Sequence, residues 1–339
     1  MRKYFLLAVM ALSMTVCAKS DDAKRLIDYV NPFVGTDGYG NVYPGAQIPF
    51  GGIQISPDTD EHFYDCASGY KWNRQSIQGF SLTHLSGTGI PDLGDFLFMP
   101  GIGDIKLDPG TDEKPDEGYR SRFSHDEEKA TPGYYGVMLK DYGVKAEMTS
   151  AVRSGIFRFT YPKSDKSFIL IDLNHTLWQK CVWSNIRVEN DSVVTGYKLV
   201  KGWGPERHIY FRAVFSKPLK NFMIYQDQKP VIYNTSRFRS NREAWGPNLM
   251  FTATFATNDS EVVTVKTSIS AISTDGAALN MRELDGMTFD SVKALAEQKW
   301  EKELSTYTIK GTQEQKETFY TSAYHAALCP FVYDDADGS

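Results

Sequence analysis

The sequence is poor in the groups that metal, redox and nucleic-acid chemistry rely on. It has 4 Cys and 6 His in 339 residues. One cysteine, Cys17, falls in an N-terminal leader; Cys66, Cys181 and Cys329 are odd in number and widely scattered. They form neither a disulfide framework nor a metal-ligand spacing, and burial as reduced thiols is expected of them. Excess positive charge is also missing: 37 Lys and Arg against 42 Asp and Glu leave a net charge of −5, which argues against nucleic acid or an anionic membrane surface as a partner. The glycine-rich stretch Gly35–Gly40 is not followed by Gly-Lys-Ser/Thr and misses the dinucleotide spacing, so it is no phosphate cradle. After the leader, no apolar run reaches the length of a transmembrane helix.

What is present begins with that leader. Met1-Arg2-Lys3 is a basic head, and Tyr4–Val16 is an apolar run of signal-peptide length. Two readings stay open: cleavage after Ala18, giving a signal peptide over 1–18, or lipidation of Cys17, for which Met14-Thr15-Val16 is a loose lipobox and Ser20-Asp21-Asp22 a polar tether. Either predicts export, to the periplasm, the exterior or the outer membrane as a lipoprotein.

About 320 of the 339 residues then remain, enough for one large domain or two smaller ones. From about residue 130 to 272 apolar residues alternate. Phe157, Phe159 and Tyr161; Ile209, Phe211, Ala213 and Phe215; Leu249, Phe251, Ala253 and Phe255; and Val263, Val265, Thr267 and Ile269 each mark a strand with one buried face. Tyr134–Leu139 and Val144–Thr149, around Asp141-Tyr142-Gly143, read as a hairpin. The first hundred residues, rich in Gly, Pro and Asp, predict long loops and short strands, where sites are commonly carried. After residue 285 the period becomes helical: Val292, Leu295, Ala296, Trp300, Leu304 and Tyr307 share a face after a cap at Thr288, and Thr312 with Gln315 opens a second helix ending at Cys329-Pro330. The fold class expected is mainly β: a large antiparallel β-sandwich over 24–285, a linker helix in 286–311, and the first helix of an incomplete all-α domain over 312–339. Two helices cannot bury a core alone, so the chain reads as cut, with Trp300, Phe319 and Tyr324 expected to expose apolar surface.

The run Val30-Asn31-Pro32-Phe33-Val34-Gly35-Thr36-Asp37-Gly38, then Tyr43-Pro44-Gly45-Ala46 and Pro49-Phe50-Gly51, resembles the opening of glycoside hydrolase family 92. Gly79-Phe80-Ser81-Leu82-Thr83-His84-Leu85-Ser86-Gly87-Thr88-Gly89 with Asp92-Leu93-Gly94-Asp95 is the most distinctive block, and Phe319–Ser339 is similar to the start of the family's helical domain. The resemblance implies a galactose-mutarotase-like supersandwich joined by linker helices to an (α/α)6 barrel. It also implies a calcium-dependent, inverting exo-α-mannosidase acting on mannose-containing glycans between the two domains. It places the catalytic acid, the base carboxylates and most calcium ligands in the barrel, after Ser339, and no catalytic or metal-binding residue is assigned here. Two departures leave linkage preference open: Leu82 stands where members often carry His, and Tyr64 where many carry Trp.

Among candidate residues, Asp65 or Asp92 would accept hydrogen bonds from sugar hydroxyls, while the clusters Asp58, Asp60 and Glu61, and Asp92 and Asp95, read more simply as turn caps in solvated loops. Tyr64, Tyr70 and Trp72 would stack on a pyranose ring or else fill the core. His84 would bond substrate or, more simply, brace its loop; no residue at ligand spacing makes it a metal site. Asp334, Asp335 and Asp337 do not follow the EF-hand order and read as a helix-to-loop turn. Three functions compete: the sugar-binding, catalytically silent front part of an α-mannosidase, a free-standing carbohydrate-binding module, and a gene remnant.

Overall fold

The computed structural model describes residues 24–59, 66–233 and 240–339. Alternation builds the sheets as expected. On Ser154–Tyr161, Phe157, Phe159 and Tyr161 are buried while Arg158 and Thr160 are half-exposed. The same holds for Ile209, Phe211, Ala213 and Phe215 on Arg207–Phe215.

These strands assemble into two antiparallel sheets. The nine-stranded sheet runs from Glu243–Gly246 through Lys180–Val188, Val193–Lys201, Arg207–Phe215, Glu261–Ser270, Ser154–Tyr161, Val144–Ser150 and Tyr134–Leu139 to Glu128–Thr131. The seven-stranded sheet runs from Ser56–Asp58 through Gly79–Ser81, Leu97–Ile102, Ser164–Asp172, Leu249–Thr257 and Asn221–Gln226 to Lys229–Pro230. The predicted hairpin forms with Leu139 opposite Val144. Rings from the two inner faces meet, Phe98 with Phe157 at 5.0 Å and Phe215 with Phe251 at 6.5 Å between centroids, so the fold is a sandwich with one large core.

Three helices follow. Helix α1 spans Thr274–Asn280 and is capped by Ser273, whose side chain accepts from Gly276 N; it begins earlier than the helical period predicts. Helix α2 spans Phe289–Leu304 and α3 spans Gln313–Ala326, each with a capping box at the expected Thr288 and Thr312. Helices α1 and α2 lie on the outer face of the nine-stranded sheet, where Ser268 Oγ donates to Ala277 O at 2.6 Å and Phe289 and Val292 pack with Tyr134 and Ile156.

The helices are not left bare, which corrects the expectation of exposed apolar surface. Trp300 and Tyr324 are 0% exposed, and Phe319 is half-buried against Tyr307 and Tyr320. Their cover is the chain's own beginning: Ile27 and Tyr43 join Trp300, Leu304, Tyr320 and Tyr324 in a second core. Polar pins hold it. The Glu301 carboxylate accepts from Leu26 N at 2.9 Å and Ile27 N at 3.1 Å, and Trp300 Nε1 donates to Gln47 O at 2.7 Å. A second correction concerns the thiols: Cys66 and Cys181 are buried, but Cys329, on the segment leaving α3, is exposed.

Candidate functional site

One end of the sandwich is made of loops. Gly87 N donates to Asn41 O at 2.7 Å and Leu177 N to Leu93 O at 3.0 Å, joining segments 36–43, 83–95 and 172–180. The block Asp92-Leu93-Gly94-Asp95 makes this approach feasible because Leu93 and Gly94 both adopt left-handed backbone, φ 73° and 76°. A Cβ on Gly94 would sit 2.7 Å from Leu177 Cγ, so only glycine fits there. Aromatic side chains stand on this end with much of their surface in solvent: Tyr39 82%, Trp178 54%, Trp203 65% and Tyr333 60% exposed. Beneath Tyr333, a cavity of about 40 Å³ is bounded by Thr83, Leu93, Arg207 and Asn280.

Under these loops lies a chain of buried charges. Asp58 accepts from His84 Nε2 at 2.8 Å and His175 Nε2 at 2.9 Å, with all three side chains 0% exposed. Asp95 accepts from Arg207 at 2.6 and 3.1 Å, Lys198 at 3.0 Å and Thr83 at 2.7 Å. Lys198 links the two groups by also donating to His175 O at 2.6 Å. Burial alone would push the carboxyls up; instead His84 and His175 hold Asp58, and Arg207 and Lys198 hold Asp95, well below the usual carboxylate range. Charges this buried persist only when partnered, so the network ties loops 83–95 and 172–180 to the strands that carry Asp58, Lys198 and Arg207.

Residues 29–270 match the glycosyl hydrolase family 92 N-terminal domain, and residues 276–339 match that family's catalytic domain. The chain belongs to glycosyl hydrolase family 92. Among solved structures it is similar to a family 92 α-mannosidase from Bacteroides thetaiotaomicron, with 70% identity and a TM-score of 0.91 over 93% of this chain and 42% of that one; a second structure of that enzyme is a complex with mannoimidazole. A family 92 inverting mannosidase from the same organism gives 26% identity and a TM-score of 0.78, covering 94% of this chain and 42% of that one. An uncharacterized secreted glycosidase of Arthroderma benhamiae is 25% identical over 342 residues, 91% of this chain and 42% of that protein. The chain thus spans about 42% of the length of these relatives.

Of the residues expected to meet sugar, Tyr64 and Asp65 lie outside the described residues, as do Asp60 and Glu61. Tyr70 is 1% exposed and donates its hydroxyl to Glu128 at 3.0 Å, so its ring is core rather than a stacking face. His84 is also 1% exposed, with Nδ1 on Gln54 O at 2.8 Å and Nε2 on Asp58. It braces the loop, the simpler of its two readings. Trp72 stacks face to face on His125 at 3.6 Å. Asp92 does reach the loop end: it is half-buried, Oδ1 accepts from Leu93 N at 2.6 Å, and burial pushes its carboxyl up. Asp58 and Asp95 correct the solvated-loop expectation, since both are 0% exposed. Asp335 likewise is held inside by Ser270 and Asn280. Sequence reasoning missed His175, Lys198 and Arg207 altogether.

For the calcium ion implied by the family resemblance, no group of three His, Cys, Asp or Glu side chains converges among the described residues. The buried carboxylates Asp58 and Asp95 already accept from imidazole or cationic N–H groups. No step is derived through the ion.

Proposed function

We propose that this chain forms the sandwich wall of the sugar cleft in an exported α-mannosidase acting on mannose-containing glycans, and that it does not cleave by itself. The observation that carries this reading is the set of exposed rings, Tyr39, Trp178, Trp203 and Tyr333, on segments tied directly or through loop 172–180 to the loop that bears Asp92, with the interlocked charges Asp95, Lys198 and Arg207 among them. An aromatic face matches the C–H face of a pyranose, and a carboxylate beside it accepts hydroxyls. The mannosidase names of its family 92 relatives agree with it, and export rests on the leader over 1–18.

The proposed silence in catalysis rests on the chemistry required. Inverting hydrolysis takes an acid and a water-activating carboxylate about 6.5–9.5 Å apart. At this end Asp58 and Asp95 are bound to cationic or imidazole partners, and Asp92 caps Leu93. The catalytic pair, and calcium with it, is assigned to the family length that this chain does not span. A second reading has support of its own: because residues near Ile27 cover Trp300 and Tyr324, the chain is also suited to folding as a free-standing carbohydrate-binding module.

The test is an assay of the purified chain on α-mannobiosides with and without calcium, alongside retardation by immobilised mannan. No mannose release is expected, with retention weakened by Trp203→Ala. Calcium-dependent mannose release would overturn the assignment of catalysis elsewhere, and no retention would remove the cleft wall.

A further inference from the structure

The loop 172–180 has a second side. Away from Arg207 and Tyr333 it borders an open cleft of about 600 Å³, shared with the hairpin end at Asp227–Gln228 and with Asn248 and Met250 at the start of a seven-stranded-sheet strand. That volume is in the range of small-ligand sites. We propose that this cleft is a second, non-catalytic binding site for a neutral pyranoside, separate from the aromatic loop end.

The lining argues the ligand class. Most of its polar groups are uncharged: Asn174, Thr176, Gln179 and Asn248. Amides and hydroxyls both donate and accept, as a polyhydroxyl ligand requires. Leu107 and Met250 add apolar surface for the C–H face of a sugar ring. Asp172 and Asp227 oppose Lys180 in the same lining, which disfavours a phosphate or other anion. The rim of the cleft is held in place: Asn248 Nδ2 donates to Asp227 Oδ1 at 2.7 Å, and the left-handed backbone of Asp227 and Gln228, φ 49° and 60°, is that of a two-residue hairpin turn.

The class of ligand is argued from the lining alone; the choice of a mannoside as first probe rests on the proposed function. The experiment is calorimetric or NMR titration of the purified chain with methyl α-mannopyranoside, methyl α-glucopyranoside and inorganic phosphate. The variants are Asn174→Ala, Asn248→Gly (glycine because the backbone there is left-handed) and Trp203→Ala, each checked for an unchanged melting curve. Saturable pyranoside binding that Asn174→Ala and Asn248→Gly weaken at least fivefold, and Trp203→Ala leaves intact, supports the cleft. Preference for the glucoside with the same mutational pattern also supports it, while counting against the mannose reading. Pyranoside binding abolished by Trp203→Ala alone belongs to the loop end and overturns the second site. So does the absence of saturable pyranoside binding, or phosphate binding in its place.

Discussion

Replacing Asp95 by Asn tests whether the buried charges hold the loop end together. The substitution keeps the shape and removes one negative charge from between two cations. Lys198 is 0% exposed and the Arg207 side chain 16%, so neither recovers full hydration in place. Breaking a buried ion pair from one side costs about 3–5 kcal/mol. Two cations share this anion, which pushes toward the upper figure. Two hydrogen bonds survive, Lys198 to His175 O at 2.6 Å and Arg207 to Gln179 at 3.2 Å, and pull it back. About 4 kcal/mol is therefore expected. For a chain of this size about 2 °C of Tm accompanies each kcal/mol, so the melting point should fall by about 8 °C. Thermal unfolding followed by near-UV circular dichroism, with urea titration at constant slope, reads both quantities. Combining Asp95→Asn with Lys198→Met removes the fully buried one of the two stranded cations, leaving the partly exposed Arg207, and should restore at least half of the loss. A single variant within about 1 kcal/mol of the parent, well under the cost of an unpaired buried charge, would refute the argument. So would a double variant less stable than the single one.

Acid should unlock the same network. The Asp58 and Asp95 carboxyls sit below their ordinary value of 3.8 in the folded chain, so near that pH the unfolded chain binds more protons and stability rises with pH. The contribution is complete above about pH 5 and is lost as pH falls below about 4; Tm measured against pH should show that descent, shallower in Asp95→Asn. Trp300→Ala should cost about 3–5 kcal/mol through the cavity it leaves and should open residues 24–34 to protease, since the indole packs in the same core as Ile27. An unchanged cleavage pattern would show that polar contacts, Glu301 with Leu26 and Ile27 and Thr321 with Asn31 among them, hold the N-terminal segment without the indole.

The sandwich was legible because each strand repeats its signal: Val263, Val265, Thr267 and Ile269 are four independent votes for one buried face, and all four are buried. The longer helices were legible through their caps at Thr288 and Thr312. Helix α1 was not, because seven residues containing Gly276 carry no period, and Ser273 is its one local sign. The charged base was harder still. Asp58 and His175 lie 117 residues apart and Asp95 and Arg207 lie 112 apart, so no spacing rule joins them. One clue was present: Lys198 falls on the inward side of its strand, in step with Val194, Gly196 and Val200. A cation at a core position needs an anion from elsewhere. Reading Asp95 as a turn cap supplied no reason to look for one.

The helices carry the larger consequence. The match to the family's catalytic domain begins at residue 276, yet α1 and α2 rest on the nine-stranded sheet and α3 on the N-terminal segment. Sequence similarity therefore changes domain where physical packing does not. Glu301 binds Leu26 and Ile27, Thr321 binds Asn31, and Arg153 binds Glu283 and Asp334, so contacts cross position 276 from both ends of the chain. A cut placed there by similarity would strip Tyr134 and Ile156 of Phe289 and Val292, and Ile27 of Trp300. It would also remove Asn280 and Tyr333 from the cavity beside Arg207. The loop end is thus completed by the very residues that the family boundary assigns to the other domain, and any sugar-binding measurement on the sandwich must keep them.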